Sequence, residues 1–122
     1  MGESLFAEQI KQVVDNVDGG IGGVVMGLDG IAVDKYMAEN KLDLSTIGIE
    51  FSYILGQAKR ASETLQIGSI GEFSIRAEQL IMIIRMLSNE YFLAVVLASG
   101  GNYGKCRFLM RMVAPEIQKE LM

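Results

Sequence analysis

The chain has 122 residues, one cysteine, no histidine, and 15 acidic against 11 basic side chains for a net charge of −4. That length predicts one domain spanning 1–122, and a 50% hydrophobic composition supplies a core and excludes intrinsic disorder. Missing histidine excludes Ser/His/Asp and Cys/His triads, lone Cys106 excludes an internal disulfide or four-cysteine metal site, and the acidic balance argues against nucleic acid.

Leu5, Phe6, Ile10, Val13, Val14 and Val17 recur at three- and four-residue intervals, which predicts a helix over 4–17 with Ser4 as N-cap. Asp18-Gly19-Gly20 ends it. Ile21–Leu28 reads as a buried strand, Asp29-Gly30 as a hairpin turn, and Ile31–Met37 as a second strand. Asp34 and Lys35 place that second strand at a sheet edge. After a polar connector over 38–43, Asp43 caps a long helix from Leu44 to Leu65. Leu44, Ile47, Phe51, Ile54, Leu55, Ala58 and Leu65 form its expected core stripe. From Gly68 to Glu78 the sequence alternates, with Phe73, Ile75 and Ala77 on one side of a half-exposed strand. Leu80–Leu87 and Tyr91–Ala98 are apolar enough to need cover on both faces and so belong in the middle of a sheet. A glycine-rich loop over 99–104 leads to a helix over Tyr103–Met122, in which Pro115 is expected to cause a break or kink near Ala114. The order is α-β-β-α-β-β-β-α. The fold class is α/β (α+β): a five-stranded antiparallel sheet with helices on both faces, the second and third strands at its edges.

No apolar run exceeds Tyr91–Ala98, well short of the ~20 residues of a spanning helix, so no membrane segment is expected. The opening Met-Gly-Glu-Ser reads as neither a signal peptide nor a myristoylation site. With the single cysteine, this points to a reduced, cytoplasmic protein. Acidic residues dominate 1–50 and basic ones slightly outnumber acidic ones after that, a dipole that suits either partner steering or a solvated surface.

Two loops invite chemical readings. Ser99–Cys106 carries Gly104-Lys105 as a phosphate-binding loop would, but Ser99 replaces its first Gly and Cys106 its magnesium-binding hydroxyl. The better reading is a strand-to-helix turn capped by Asn102. Gly19–Gly23 precedes a strand, whereas a dinucleotide fingerprint lies between strand and helix; its glycines mark close packing or a bulge. Cys106 sits between Lys105 and Arg107, a setting that lowers a thiol pKa, yet it has no base partner and reads as half-buried and structural. No catalytic residue, cofactor or metal is expected.

The long helix carries Gly48, Ser52 and Gly56 every fourth residue, a stripe that lets a second backbone approach. Beside it Ile49 and Tyr53 stand outside the core stripe, either touching a second molecule or as scattered surface apolars. The strand over 69–77, with Ile70 and Phe73, is an edge without proline. Together these predict a symmetric homodimer through Gly48, Ile49, Ser52, Gly56, Ile70 and Phe73. Thr46, Glu50, Gln57, Arg60 and Glu63 lie farthest from the core stripe, and Tyr53 with Arg60 and Gln57 is the expected partner-binding group.

The element order, the Val24–Ala32 hairpin with its Asp-Gly turn, and Phe92–Ala98 followed by Asn102-Tyr-Gly-Lys-Cys-Arg107 resemble the Roadblock (dynein light-chain) family, including its bacterial MglB-like members, over about 5–120. The resemblance implies a non-enzymatic homodimer whose third strands join into one sheet with the middle helices packed together. It further implies a platform for Ras-like small GTPases, whose hydrolysis MglB-type members stimulate without an arginine finger. The alternative is a structural dimerisation adaptor without nucleotide-state sensitivity.

Overall fold

The computed structural model describes residues 5–39 and 42–121. Among these, the chain forms α1 (Ala7–Val14), β1 (Gly20–Gly27), β2 (Ala32–Met37), α2 (Leu44–Leu65), β3 (Glu72–Arg76), β4 (Leu80–Met86), β5 (Tyr91–Ala98) and α3 (Tyr103–Leu121). The strands make one antiparallel sheet in the order β2-β1-β5-β4-β3. The expected fold class and both expected edges are therefore present. β4, apolar but for Arg85, and continuously apolar β5 sit inside, because each presents side chains to two covered faces.

One face is covered by α1 and α3. Phe6, Ile10, Val13, Ile83, Val95, Met110 and Ile117 belong to its core. The other face is covered by α2, over a core that includes Val24, Met26, Leu55, Met82, Ile84 and Phe92. The glycine run in β1 serves this two-sided packing. A Cβ on Gly23 would stand 2.7 Å from Ile10 Cγ2 of α1, and one on Gly22 would stand 3.0 Å from Leu44 Cδ1 of α2. The pairing of β1 with β5 also shifts between Gly20 and Gly22, a bulge where the strand begins.

α1 is shorter than its periodicity suggested. Its N-cap is Phe6, whose backbone N–H donates to Asp34 Oδ2 of β2 at 2.8 Å. Ser4, the expected cap, lies outside the described residues. Asp43 caps α2 as expected, accepting from the N–H groups of Ser45 and Thr46 at 3.1 and 3.2 Å. The Thr46 hydroxyl leads the interactions that hold its carboxyl below the usual carboxylate range. Asn102 likewise accepts from the Lys105 N–H at 3.1 Å, so the Gly104-Lys105 loop is a helix start.

The expected break at Pro115 does not occur, and α3 runs through it to Leu121. Pro115 lies on the exposed side, where the carbonyl left without its N–H partner can face water. Val113, Ala114 and Ile117 on the inner side are buried and hold the turns before and after it against the sheet.

Candidate functional site

α2 is the element on which the sequence placed most of the candidate residues. Its buried line is Leu44, Gly48, Ser52, Leu55 and Ser62. The expected core stripe is therefore turned about the helix axis. Ile54 and Leu65 are 37% and 65% exposed, while the small residues face the sheet. The cause is distance: a helix approaches a sheet most closely along its smallest side chains. A Cβ on Gly48 would stand 2.5 Å from Met26 Cε. Ser52 is buried beside the Gly30 turn, and its hydroxyl donates to the Ile49 carbonyl at 2.6 Å. Gly48 and Ser52 thus face β1 side chains and the β1–β2 turn of their own chain, where the expected seam would have had them face a second helix. A Cβ on Gly56 would meet nothing within 4 Å, although the residue is half-buried.

The remaining predicted residues fall on different sides of α2. Ile49 lies against the Gly30 turn, at 3.7 Å from its Cβ position, on the β2 side. Ile54 lies five residues on, about 140° around the helix at 3.6 residues per turn, on the opposite flank. That flank carries Ile47, Phe51, Ile54 and Leu65, and Ile47 and Phe51 pack, as half-buried Phe73 of β3 does, against the core beneath α2. Ile70 lines a cleft of about 430 Å³ with Leu55, Lys59, Ser62, Gln66 and Met86. The structure therefore does not bring Ile49 together with Ile70 and Phe73. Tyr53, Gln57 and Arg60 are all exposed, Tyr53 at 70%, on the side of α2 turned away from the sheet.

A second group was not foreseen from the sequence. On the α3 face of β3, the Arg107 Nε donates to Glu72 Oε2 at 2.6 Å, and Arg85 Nη1 lies 3.5 Å from Glu72 Oε1. The hydrogen bond to Glu72 is also the main reason the Arg107 guanidinium is held above its ordinary pKa. The guanidinium carbons of Arg76 and Arg107 lie 5.2 and 5.5 Å from the Tyr103 ring centre. The Tyr103 hydroxyl is 3.0 Å from Ser74 Oγ. The strand's alternation already put Glu72, Ser74 and Arg76 on one side. What it could not show was α3 arriving there.

Cys106 is fully buried, and desolvation pushes its thiol up to about 12. This corrects the half-buried reading and the lowered pKa expected from its neighbours. Adjacent helix residues point about 100° apart, so Lys105 and Arg107 face water while Cys106 faces Met110. Among the described residues, no group of three or more Cys, Asp or Glu side chains is placed to hold a metal ion. No helix among them is long and apolar enough to cross a membrane. What these surfaces offer is contact: an exposed row of one tyrosine, a glutamine and an arginine, an apolar flank and an open strand edge.

No family model matches the sequence, and no curated protein matches it. Solved structures do. The chain is similar to MglC from Myxococcus xanthus, at 36% identity over 94% of this chain and 98% of that one, with a TM-score of 0.69. A Roadblock/LC7 domain from Streptomyces avermitilis shares its shape more fully at lower identity: TM-score 0.85, 13% identity, 95% of this chain and 97% of that one. MglB from Myxococcus xanthus also superposes with a TM-score of 0.85, at 7% identity over 99% of this chain and 98% of that one. The expected MglB likeness thus holds for the fold, while the identity lies with MglC. On the near-complete match to MglC and on the shared architecture, the chain belongs to the Roadblock family, with MglB and MglC among its structural neighbours.

Proposed function

We propose that the protein is a non-enzymatic homodimeric module in which two copies join through β3 and the adjoining flank of α2, and that the joined α2 face docks a Ras-like small GTPase. The observation that carries the reading is the uneven cover of this face. Beneath α2 the sheet is sealed, with Ile84, Phe92 and Ala94 all at 0% exposure. At β3, Phe73 and Ile75 are only half-buried, and on the flank of α2 away from the β1–β2 turn Ile54 and Leu65 stand open. A second copy brings the same apolar surface to the same edge, as a two-fold interface requires. The open β3 edge offers backbone pairing alongside it.

The GTPase part of the reading rests on what the Roadblock resemblance implies and on the exposed Tyr53, Gln57 and Arg60 row. Aromatic and arginine side chains are over-represented among the residues that dominate binding energy. Titration of the dimer with a small GTPase in its GTP-analogue and GDP forms tests it. Tyr53→Ala with Arg60→Ala, in protein still dimeric by sedimentation, should weaken binding about tenfold or more. Affinity within about twofold of the parent would move the docking face elsewhere. Equal affinity for both nucleotide states would favour a tethering adaptor.

A further inference from the structure

The open edge of β3 carries a pattern that is complementary to its own reverse. The Ala77 N–H donates to the Leu80 carbonyl and the Met86 N–H to the Gly71 carbonyl, both at 2.9 Å. In an antiparallel ladder the backbone groups of successive residues point alternately to the two sides. Gly71, Phe73, Ile75 and Ala77 therefore bond towards β4. The N–H and C=O groups of Glu72, Ser74 and Arg76 face the open edge. A second copy adding antiparallel there must bond through the same three residues.

The segment Glu72-Phe73-Ser74-Ile75-Arg76 has an acid at one end, a base at the other and a serine at its centre. Two-fold pairing centred on Ser74 sets Arg76 of each copy opposite the partner's Glu72 and Phe73 opposite the partner's Ile75. All five residues of the strand are then matched. Centring on Glu72 or on Arg76 sets like charges face to face. Centring on Ile75 leaves Glu72 opposite the partner's β3–β4 turn, with no basic partner. Centring on Phe73 leaves Arg76 opposite the partner's Ile70. Opposite charges across strands are favourable and like charges unfavourable.

The pair is also held ready. Arg107 and Arg85 fix the Glu72 carboxylate, at 2.6 and 3.5 Å, and Arg76 rests over the Tyr103 ring. We propose that Glu72 and Arg76 are the specificity pair of this edge, selecting a second copy of this chain in the single register centred on Ser74. The proposal rests on the homodimer reading above and adds to it which residues choose the partner. A chain of the same fold without this charge order would meet a mismatched edge.

Residue-specific crosslinking tests it. Directly opposed backbone-bonded residues have Cα atoms about 5.5 Å apart, within disulfide reach. Buried Cys106 stays silent under mild oxidation. Ser74→Cys should give a covalent dimer on a non-reducing gel. Glu72→Cys and Arg76→Cys should give none alone and should link when mixed. Independently, Arg76→Glu should weaken dimerisation about tenfold, while Arg76→Lys stays close to the parent. A protein dimeric by sedimentation in which Ser74→Cys fails to link, or in which Arg76→Glu dimerises as the parent does, overturns the register and leaves the homodimer standing. A monomeric parent overturns both.

Discussion

Gly48 rests on Met26. Met26 is fully buried, and its Cε and Sδ would lie 2.5 and 2.8 Å from a methyl added at Gly48. This contact sets how closely α2 approaches β1, and it explains a glycine in the interior of a 22-residue helix. Gly56, two turns later, has open space in the same place.

The two glycines should therefore respond with opposite sign to alanine. In the helix interior Ala is worth ~1 kcal/mol over Gly. At Gly56 that gain should appear almost whole, raising the melting temperature by roughly 4 °C. At Gly48 the gain is outweighed by repacking Met26 in a closed core, where overpacking costs ~1–3 kcal/mol. Gly48→Ala should melt below the parent. Equal shifts for the two variants would mean that Met26 yields freely.

Cys106 supplies a pH prediction. Burial pushes its thiol up to about 12, whereas in the unfolded chain it returns to roughly 8.5. As pH rises past ~8.5 the unfolded state loses its proton first. The stability associated with Cys106 is thus complete below that pH and declines above it, by at most ~1.4 kcal/mol per pH unit. Urea unfolding between pH 7 and 10 should show a decline that Cys106→Ala reduces. At pH 8 the folded protein should not react with a thiol reagent that labels one site in the unfolded chain. Fast labelling of the folded state would contradict this burial.

Gln66 closes α2 in the left-handed conformation, at φ 55°. Its N–H donates to the Glu63 carbonyl and the Ile67 N–H to the Ser62 carbonyl, both at 3.2 Å. A side chain there costs ~1–2 kcal/mol that glycine avoids. Part of this is offset by the extra freedom glycine gives the unfolded chain. Gln66→Gly should raise stability by ~0.5–1 kcal/mol, read from the urea midpoint. A loss would show that the Gln66 side chain, which lines the cleft beside Ile70, holds the α2–β3 connection in place.

The fold was legible in the sequence because its signals are local. Asp43 marks the start of α2, Asp29-Gly30 the hairpin, and the polar residues of β2 and β3 the sheet edges. The rotation of α2 was not legible. Hydrophobic periodicity gives weight to Ile54 and Leu65 and none to Gly48 and Ser52, yet approach to the sheet follows the smallest side chains. The two flanks of α2 depend on that rotation, so Ile49 and Phe73 were placed on one interface and lie on opposite sides. The Glu72, Arg85, Tyr103 and Arg107 group depends on packing between elements distant in the chain. Pro115 was expected to interrupt α3 on backbone grounds, and buried Val113 and Ile117 explain why it does not.

Everything proposed for the half-covered α2 face and the β3 edge depends on a second copy completing them. Sedimentation equilibrium of the parent protein at micromolar concentration decides whether one does. The expected mass is twice the 13.4 kDa chain, falling towards one chain when Phe73→Asp and Ile54→Asp place charges on the apolar flank. A parent that sediments as a single chain across that range would contradict the homodimer.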